Sequence, residues 1–283
     1  MNFPAWAQDG CLLPGGEPLL RNDLGGIIHH ARGKGIYVSV SSNGKLVPEK
    51  IELLRNVNKI KLSLDGQQDV HDRIRGKGSF FSVMNAIQCC YDNSISTSIQ
   101  CVLLKYNLHS IDYVLNIARK FHSQVSFQPS IQKLLWSEEQ NPIVPLPGEY
   151  MNAINYIIRR KRESAPVLNS FSGLKYLYNW PNNTKIGCSA GILSCNVEPN
   201  GKIFACDRVQ YLDFNSDSAF KNYNNAKGQF KDIKLIRKCY QCWGALQVEF
   251  NLICSFNFEA ILNYWRISRN RRKGIPQKKI NKN

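Results

Sequence analysis

The chain has 283 residues, with 37 Lys and Arg against 21 Asp and Glu, a formal net charge of +16, and 43% apolar residues. That much apolar material supports one large core or two modest ones, which excludes a small disulfide-stapled scaffold. No run of about 18 apolar residues is present to span a bilayer, and the opening MNFPAWAQDG lacks the basic and apolar regions of a secretory signal, so the chain is read as cytoplasmic. In a reducing compartment its ten cysteines are packing, catalytic or metal-binding residues rather than disulfides.

After a Gly-rich start, Ile36–Ser41 is a β-branched run of period two, closed by the turn Ser42-Asn43-Gly44. Val47–Val57 reads as a helix, with Pro48 in the first turn and Ile51, Leu54 and Val57 on one face. Lys59–Leu64 alternates polar and apolar residues and ends in Asp65-Gly66. Ser79–Tyr91 is an amphipathic helix through Phe80, Val83, Met84, Ile87 and Cys90, which makes Cys90 core packing and its neighbour Cys89 inert. Thr97–Leu104 is the next strand. Ser110 is expected to cap a helix carrying Ile111, Val114, Leu115, Ala118 and Phe121, and Val125–Gln128 is a further strand. Four βα steps in one direction imply an α/β fold with a parallel sheet.

Beyond Pro129 the pattern changes. Pro142, Pro145 and Pro147-Gly148 mark a loop, Tyr150–Arg162 a helix, and Pro166 the start of a long irregular stretch. Asn196–Glu198 is expected to pair with Lys202–Ala205 around the turn Pro199-Asn200-Gly201, and Phe256–Ile267 reads as a closing helix. A domain boundary falls between 165 and 187. The last residues carry Arg266, Arg269, Arg271, Arg272, Lys273, Lys278, Lys279 and Lys282 with no acid, the pattern of a solvated terminus rather than a nucleic-acid foot.

Two clusters carry chemistry. Cys11, Cys89, Cys90 and Cys101 are scattered through the first half, whereas Cys188, Cys195, Cys206, Cys239, Cys242 and Cys254 lie close together. Cys188 and Cys206 flank the hairpin and Cys239 and Cys242 form a CxxC, so one thiolate site on these four is the economical reading and suits zinc or an iron–sulfur cluster; Cys195 and Cys254 are left over, each either buried packing or a replacement for one of the four. In the first half, Gly15-Gly16-Glu17-Pro18 presents backbone where a side chain would occlude a ligand. Strand ends then carry Asn43, Ser63 and Asp65, followed by the run His71-Asp72-Arg73-Ile74-Arg75-Gly76. Ligands of parallel α/β sheets bind at such carboxyl ends. Asp65 is expected to accept from ribose-like hydroxyls and Arg75 to hold a carboxylate.

The ordered series GGEPLLRNDL, SSNG, SLDGQQDVHDRIRGKGSFFSVMNAI, CSAGILSCNVEPNGKIFACD and CYQC resembles the radical S-adenosylmethionine (SAM) enzymes with a C-terminal SPASM or twitch extension, over most of residues 10 to 255. The resemblance implies an incomplete (β/α)6 partial barrel over 1–165, a cysteine-rich hairpin-plus-helix auxiliary domain over 166–265, and a basic tail over 266–283. It implies that Gly15, Gly16, Glu17 and Pro18 hold the SAM amino group and that Ser63, Asp65 and Arg75 serve the ribose and carboxylate, with Asn43 in the same cofactor-binding set. It also implies an auxiliary [4Fe–4S] cluster on Cys188, Cys206, Cys239 and Cys242. The chain departs from the family in one respect: no CxxxCxxC occurs in its 283 residues. The expectation is therefore a truncated, split or decayed radical SAM oxidoreductase or maturase, without catalytic residues of its own and unable to cleave SAM unless a separately encoded fragment supplies the cluster loop. Its substrate is expected to be a peptide or small molecule, with no membrane partner. The competing expectation is a non-catalytic cluster-bearing module whose basic tail contacts peptide or nucleic acid.

Overall fold

The computed structural model describes residues 10–13, 16–131, 139–182, 186–190, 194–198, 201, 203–204, 206 and 242–272. Five strands, β1 Gly10–Leu13, β2 Tyr37–Ser42, β3 Lys59–Ser63, β4 Thr97–Leu103 and β5 Val125–Pro129, form one sheet in chain order. Every pairing in it is parallel, with Val40 opposite Ile60, Leu62 opposite Ile99 and Cys101 opposite Phe127. The parallel α/β fold expected from the sequence is therefore present, and β1 extends it ahead of the first expected strand. Crossovers run through α1 Leu24–Gly33, α2 Ile51–Leu54, α3 Gln68–Arg75, α4 Ser79–Asp92 and α5 Ile111–Lys120.

The alternation of residue types sorts the sheet into two faces. Val38, Val40, Ile60, Leu62, Ile99, Cys101, Val125 and Phe127 are buried in a single apolar core that also takes in Ile87 of α4 and Leu115 of α5. The opposite face holds Ser39, Ser41, Lys61, Ser63, Gln100 and Gln128, all half-buried. This polar, half-buried face is the side of the sheet open to a ligand.

A short sixth position follows. After α6 Pro147–Arg162 the chain returns beside β5, where Val167 bridges Val125 in parallel and Leu168 N donates to Val125 O at 2.7 Å. Asn169 finishes the pairing with its side chain, accepting from Phe127 N at 2.8 Å and donating to Phe127 O at 3.0 Å.

Several expected elements differ. The helix expected over Val47–Val57 contracts to Ile51–Leu54, with turns on either side. Ser110 does not cap α5 with its side chain: a 3-10 turn, Leu108–Ser110, runs directly into the helix and leaves Ser110 out of the extended cap geometry. The stretch after Pro166 contains α7 Phe171–Tyr178, capped by Ser170 Oγ accepting from Gly173 N at 2.8 Å. The closing region holds two helices, α8 Ala245–Cys254 and α9 Phe258–Arg272. Leu174, Leu177, Trp180, Trp243 and Val248 join the same core as the strands. Glu259 of α9 accepts from Phe171 N and Ser172 N, and Glu249 of α8 from Ser170 N, so two carboxylates seat the last helices on the N-terminus of α7. The hairpin is reduced to β6 Asn196–Val197 against β7 Ile203–Phe204; Pro199, Asn200, Lys202 and Ala205 lie outside the described residues, as does the tail after Arg272.

Candidate functional site

The carboxyl ends of β1, β2 and β3 form one rim, and Glu17 ties its first two stations together. Its Oε1 accepts from Leu19 N at 3.2 Å, while Oε2 accepts from Ser42 Oγ at 3.1 Å and Asn43 N at 2.9 Å. Both oxygens are thus engaged within the protein, and Glu17 acts as the clamp that holds the turn after β1 against the end of β2. Pro18 is buried at the start of a 3-10 turn, and Gly16 is exposed with nothing within 4 Å of where a Cβ would stand. Gly15 lies outside the described residues. Asn43 is exposed, its Oδ1 accepting from Lys45 N at 2.9 Å. Beside it Gly44, at φ +94°, lets the turn meet α4: a Cβ there would stand 2.9 Å from Val83 Cα.

At the third station Ser63 closes β3 opposite Gln100, half-buried. Asp65 is fully buried. Its Oδ1 accepts from Val102 N at 2.9 Å and its Oδ2 from Arg75 Nε at 2.5 Å. Each oxygen of this buried carboxylate thus carries one bond made within the fold, which fixes the orientation of Asp65 beyond the end of β3. The carboxylate nearest Arg75 is Asp65 itself. The pair uses only Nε; the Arg75 side chain is 30% exposed, and among the described residues its two terminal nitrogens have no partner. A guanidinium held by Nε and open at its fork is oriented for bidentate capture of a further carboxylate.

Three groups support this arrangement: His71 and Asp72, which the sequence reading named in the run without a role, and Gln67, which it missed. His71 Nδ1 accepts from Asp65 N at 3.1 Å, and burial lowers its proton affinity, so the imidazole is neutral and the Asp65 backbone is pinned. Asp72 accepts from Gly78 N and Phe80 N at 2.9 and 2.8 Å, and these bonds hold its carboxyl below the usual range. It thereby caps α4 and anchors the loop that leaves Arg75. Gln67 Oε1 is buried without a partner among the described residues, on the loop that leads out of Asp65. An orphaned acceptor at a strand's carboxyl end fits a ligand that brings hydroxyl or ammonium donors. Only the run from Asp65 to Gly78 signals these roles in sequence, through the histidine and acids spaced along it. Gly66 completes the loop: a Cβ there would stand 2.9 Å from both Ser110 Oγ and Val70 Cγ1.

Cys90 and Cys101 are buried, and burial pushes the Cys90 thiol up to about 12 and Cys101 well above its ordinary value, so both are inert packing. Of the thiolate set, Cys188 and Cys206 are half-buried on either side of the hairpin and Cys242 is half-buried ahead of α8; Cys239 lies outside the described residues. Four thiols are the donor chemistry of a [4Fe–4S] or zinc site. Cys195 is exposed, while Cys254, at the end of α8, is half-buried and hydrogen-bonded to Ser189. Ser189 is itself fixed by Asn251, whose Oδ1 accepts from its N and Oγ at 2.8 and 2.7 Å.

Residues 3–118 match the family model of the Radical SAM superfamily. The AdoMet-dependent heme synthase of Methanosarcina barkeri is 25% identical over 224 residues, covering 71% of this chain and 63% of that protein. The mycofactocin maturase of Mycobacterium tuberculosis is 24% identical over 235 residues, covering 78% of this chain and 59% of that protein. The chain thus spans about three-fifths of the length of these two curated relatives. Among solved structures, native anSMEcpe with bound AdoMet and Kp18Cys peptide superimposes with a TM-score of 0.56 at 16% identity, over 93% of this chain and 86% of that one. No helix among the described residues is long and apolar enough to cross a membrane.

Proposed function

We propose, from the premise that this chain belongs to the radical SAM superfamily, that its rim binds the methionyl end of SAM and that it is the larger part of a SPASM- or twitch-type oxidoreductase or maturase. The observation that carries this reading is Arg75, anchored through Nε on buried Asp65 with its fork open at the rim. When bound, SAM would supply 5′-deoxyadenosyl radical chemistry for hydrogen abstraction, its S–C5′ bond cleaved by one electron with release of methionine.

The chain's own residues bind and orient. Arg75 receives the SAM carboxylate, and Asp65 and His71 keep Arg75 and its loop in place. Gln67 Oε1 accepts from a ribose hydroxyl or the ammonium group. Glu17 shapes the glycine turn through Ser42 and Asn43. No CxxxCxxC occurs in the 283 residues, so none of them is assigned to a cluster that would reduce SAM. Cys188, Cys206, Cys239 and Cys242 hold an auxiliary [4Fe–4S] cluster. The relatives' printed names include a maturase and a heme synthase, and one structural neighbour carries a peptide, which supports a peptide or small-molecule substrate here.

The test is binding rather than turnover. Equilibrium dialysis of the full chain with SAM should give saturable binding that weakens about tenfold or more in Arg75→Gln, the loss of one charge-assisted pair. Equal affinity in the variant, or no saturable binding to the unaltered chain, would overturn the assignment.

A further inference from the structure

Below the rim, the polar face of the sheet carries a cation that the rim does not use. Lys61 lies in the middle of β3, with Ser41 of β2 and Ser98 of β4 as its register neighbours. It is two residues beneath Ser63, about 6.6 Å further from the carboxyl edge at the rise of a parallel strand. Lys61 is half-buried as a residue with its ammonium desolvated, and no hydrogen bond or ion pair reaches that ammonium among the described residues. The neighbouring positions of this face are Tyr37, Ser39, Ser41, Lys59, Ser63, Gln100, Val102 and Gln128, so the strands bring no carboxylate to it. Gln100 is turned to Ser126 O at 3.3 Å, and Gln128 Oε1 lies 3.5 Å from Ala245 N, leaving neither aimed at the ammonium. Burial lowers the proton affinity of Lys61, as follows for a cation with no counter-charge.

A desolvated ammonium without a partner, among hydroxyls and amides on the reachable side of the sheet, costs stability unless something else supplies the anion. Leu62, its neighbour on the other face, is fully buried in the core, so the strand cannot turn Lys61 outward without unpacking itself. We propose that Lys61 is a specificity-determining residue that receives a carboxylate of the substrate, so that the substrate class is a carboxylate-bearing molecule seated on the sheet floor beneath SAM. The inference rests on the reading that the rim holds SAM. A carboxylate reaching Lys61 has two sources, the substrate or the methionyl group of SAM. Depth favours the substrate, since Arg75 stands at the rim and Lys61 two residues below it.

The experiment is pulse acetylation of the full chain by acetic anhydride, with the rate at each lysine read by mass spectrometry. Glutarate is the carboxylate probe, glutaramide its neutral counterpart at matched ionic strength, and SAM a separate arm. Glutarate should slow acetylation of Lys61 about fivefold or more while leaving exposed Lys77 unchanged, and glutaramide should not. Lys61 modified at the same rate with glutarate, or slowed equally by glutaramide, would overturn the proposal. Slowing by SAM alone would also overturn it, by assigning the carboxylate to the cofactor. SAM binding measured on the same sample separates the two readings: binding intact with Lys61 unprotected sinks this inference only, whereas binding lost with Lys61 still protected by glutarate sinks the rim assignment only. Lys61→Met, if folded, should bind SAM as the unaltered chain does, and equal glutarate binding by that variant would count against the proposal.

Discussion

Replacing Asp65 by asparagine isolates the pair on which the rim depends. The native carboxylate accepts two bonds in full burial, from Val102 N at 2.9 Å and Arg75 Nε at 2.5 Å. Asparagine offers one oxygen and one amide nitrogen, so either the Val102 N–H or the Arg75 N–H must face a donor. A buried backbone N–H left unsatisfied costs about 1–3 kcal/mol, and a lost charge-assisted bond about 1.5–3 kcal/mol. Arg75 is 30% exposed and recovers part of its loss by hydration, which brings the net to about 3 kcal/mol. Urea unfolding followed by circular dichroism should therefore show Asp65→Asn destabilised by about 3 kcal/mol, or roughly 6–10 °C in Tm for a chain of this size. A variant within about 1 kcal/mol of the native chain would refute the description of Asp65 as a buried, doubly bonded anion. A double-mutant cycle then separates positioning from direct contact. If Asp65 acts through Arg75, Asp65→Asn added to Arg75→Gln weakens SAM binding no further; a further loss of about tenfold would restore Asp65 as a direct ribose ligand.

Gly66→Ala should cost about 2–3 kcal/mol, since its Cβ would meet Ser110 Oγ and Val70 Cγ1 at 2.9 Å, whereas Gly26→Ala, in α1 with open space around it, should stabilise by about 0.5–1 kcal/mol; equal Tm shifts would contradict the close approach at Gly66. Burial raises the pKa of Glu249 above 4.5, with Glu259 adding to the effect and Ser170 and Lys161 opposing it, so the folded state favours the protonated acid. Its contribution is present in full below pH 4.5 and is lost as pH rises through the folded pKa. Glu249→Gln should remove that decline, and parallel stability–pH curves for the two proteins would count against it. Anaerobic reconstitution should give about four irons per chain, abolished in Cys188→Ala combined with Cys206→Ala, and about eight irons would refute a single auxiliary cluster.

The strands were legible because period-two patterning reports which side of a residue is dry. Val38-Ser39-Val40 and Ile60-Lys61-Leu62 alternate in sequence as they alternate between core and polar face. The helix Phe171–Tyr178 was hidden because Pro166 reads as the start of an irregular stretch, while its N-terminus is satisfied by Glu249 and Glu259 from far along the chain. The auxiliary hairpin was legible from its turn sequence, and the described residues pair Asn196 with Phe204 and Val197 with Ile203.

The sequence by itself determined that the chain is a parallel α/β protein with polar stations at its strand ends, and the ordered motifs pointed to the radical SAM enzymes. Only the tertiary structure decided how those stations are used. It joins Glu17 to residues 25 and 26 positions away, Asp65 to Val102 across 37, and Arg75 to Asp65 across 10. It also leaves Gln67 Oε1 and the Lys61 ammonium without partners among the described residues. Residue type states what a group can bond, but which bonds are made depends on what the closed fold brings within about 3 Å, and that distance is set by packing rather than by spacing along the chain.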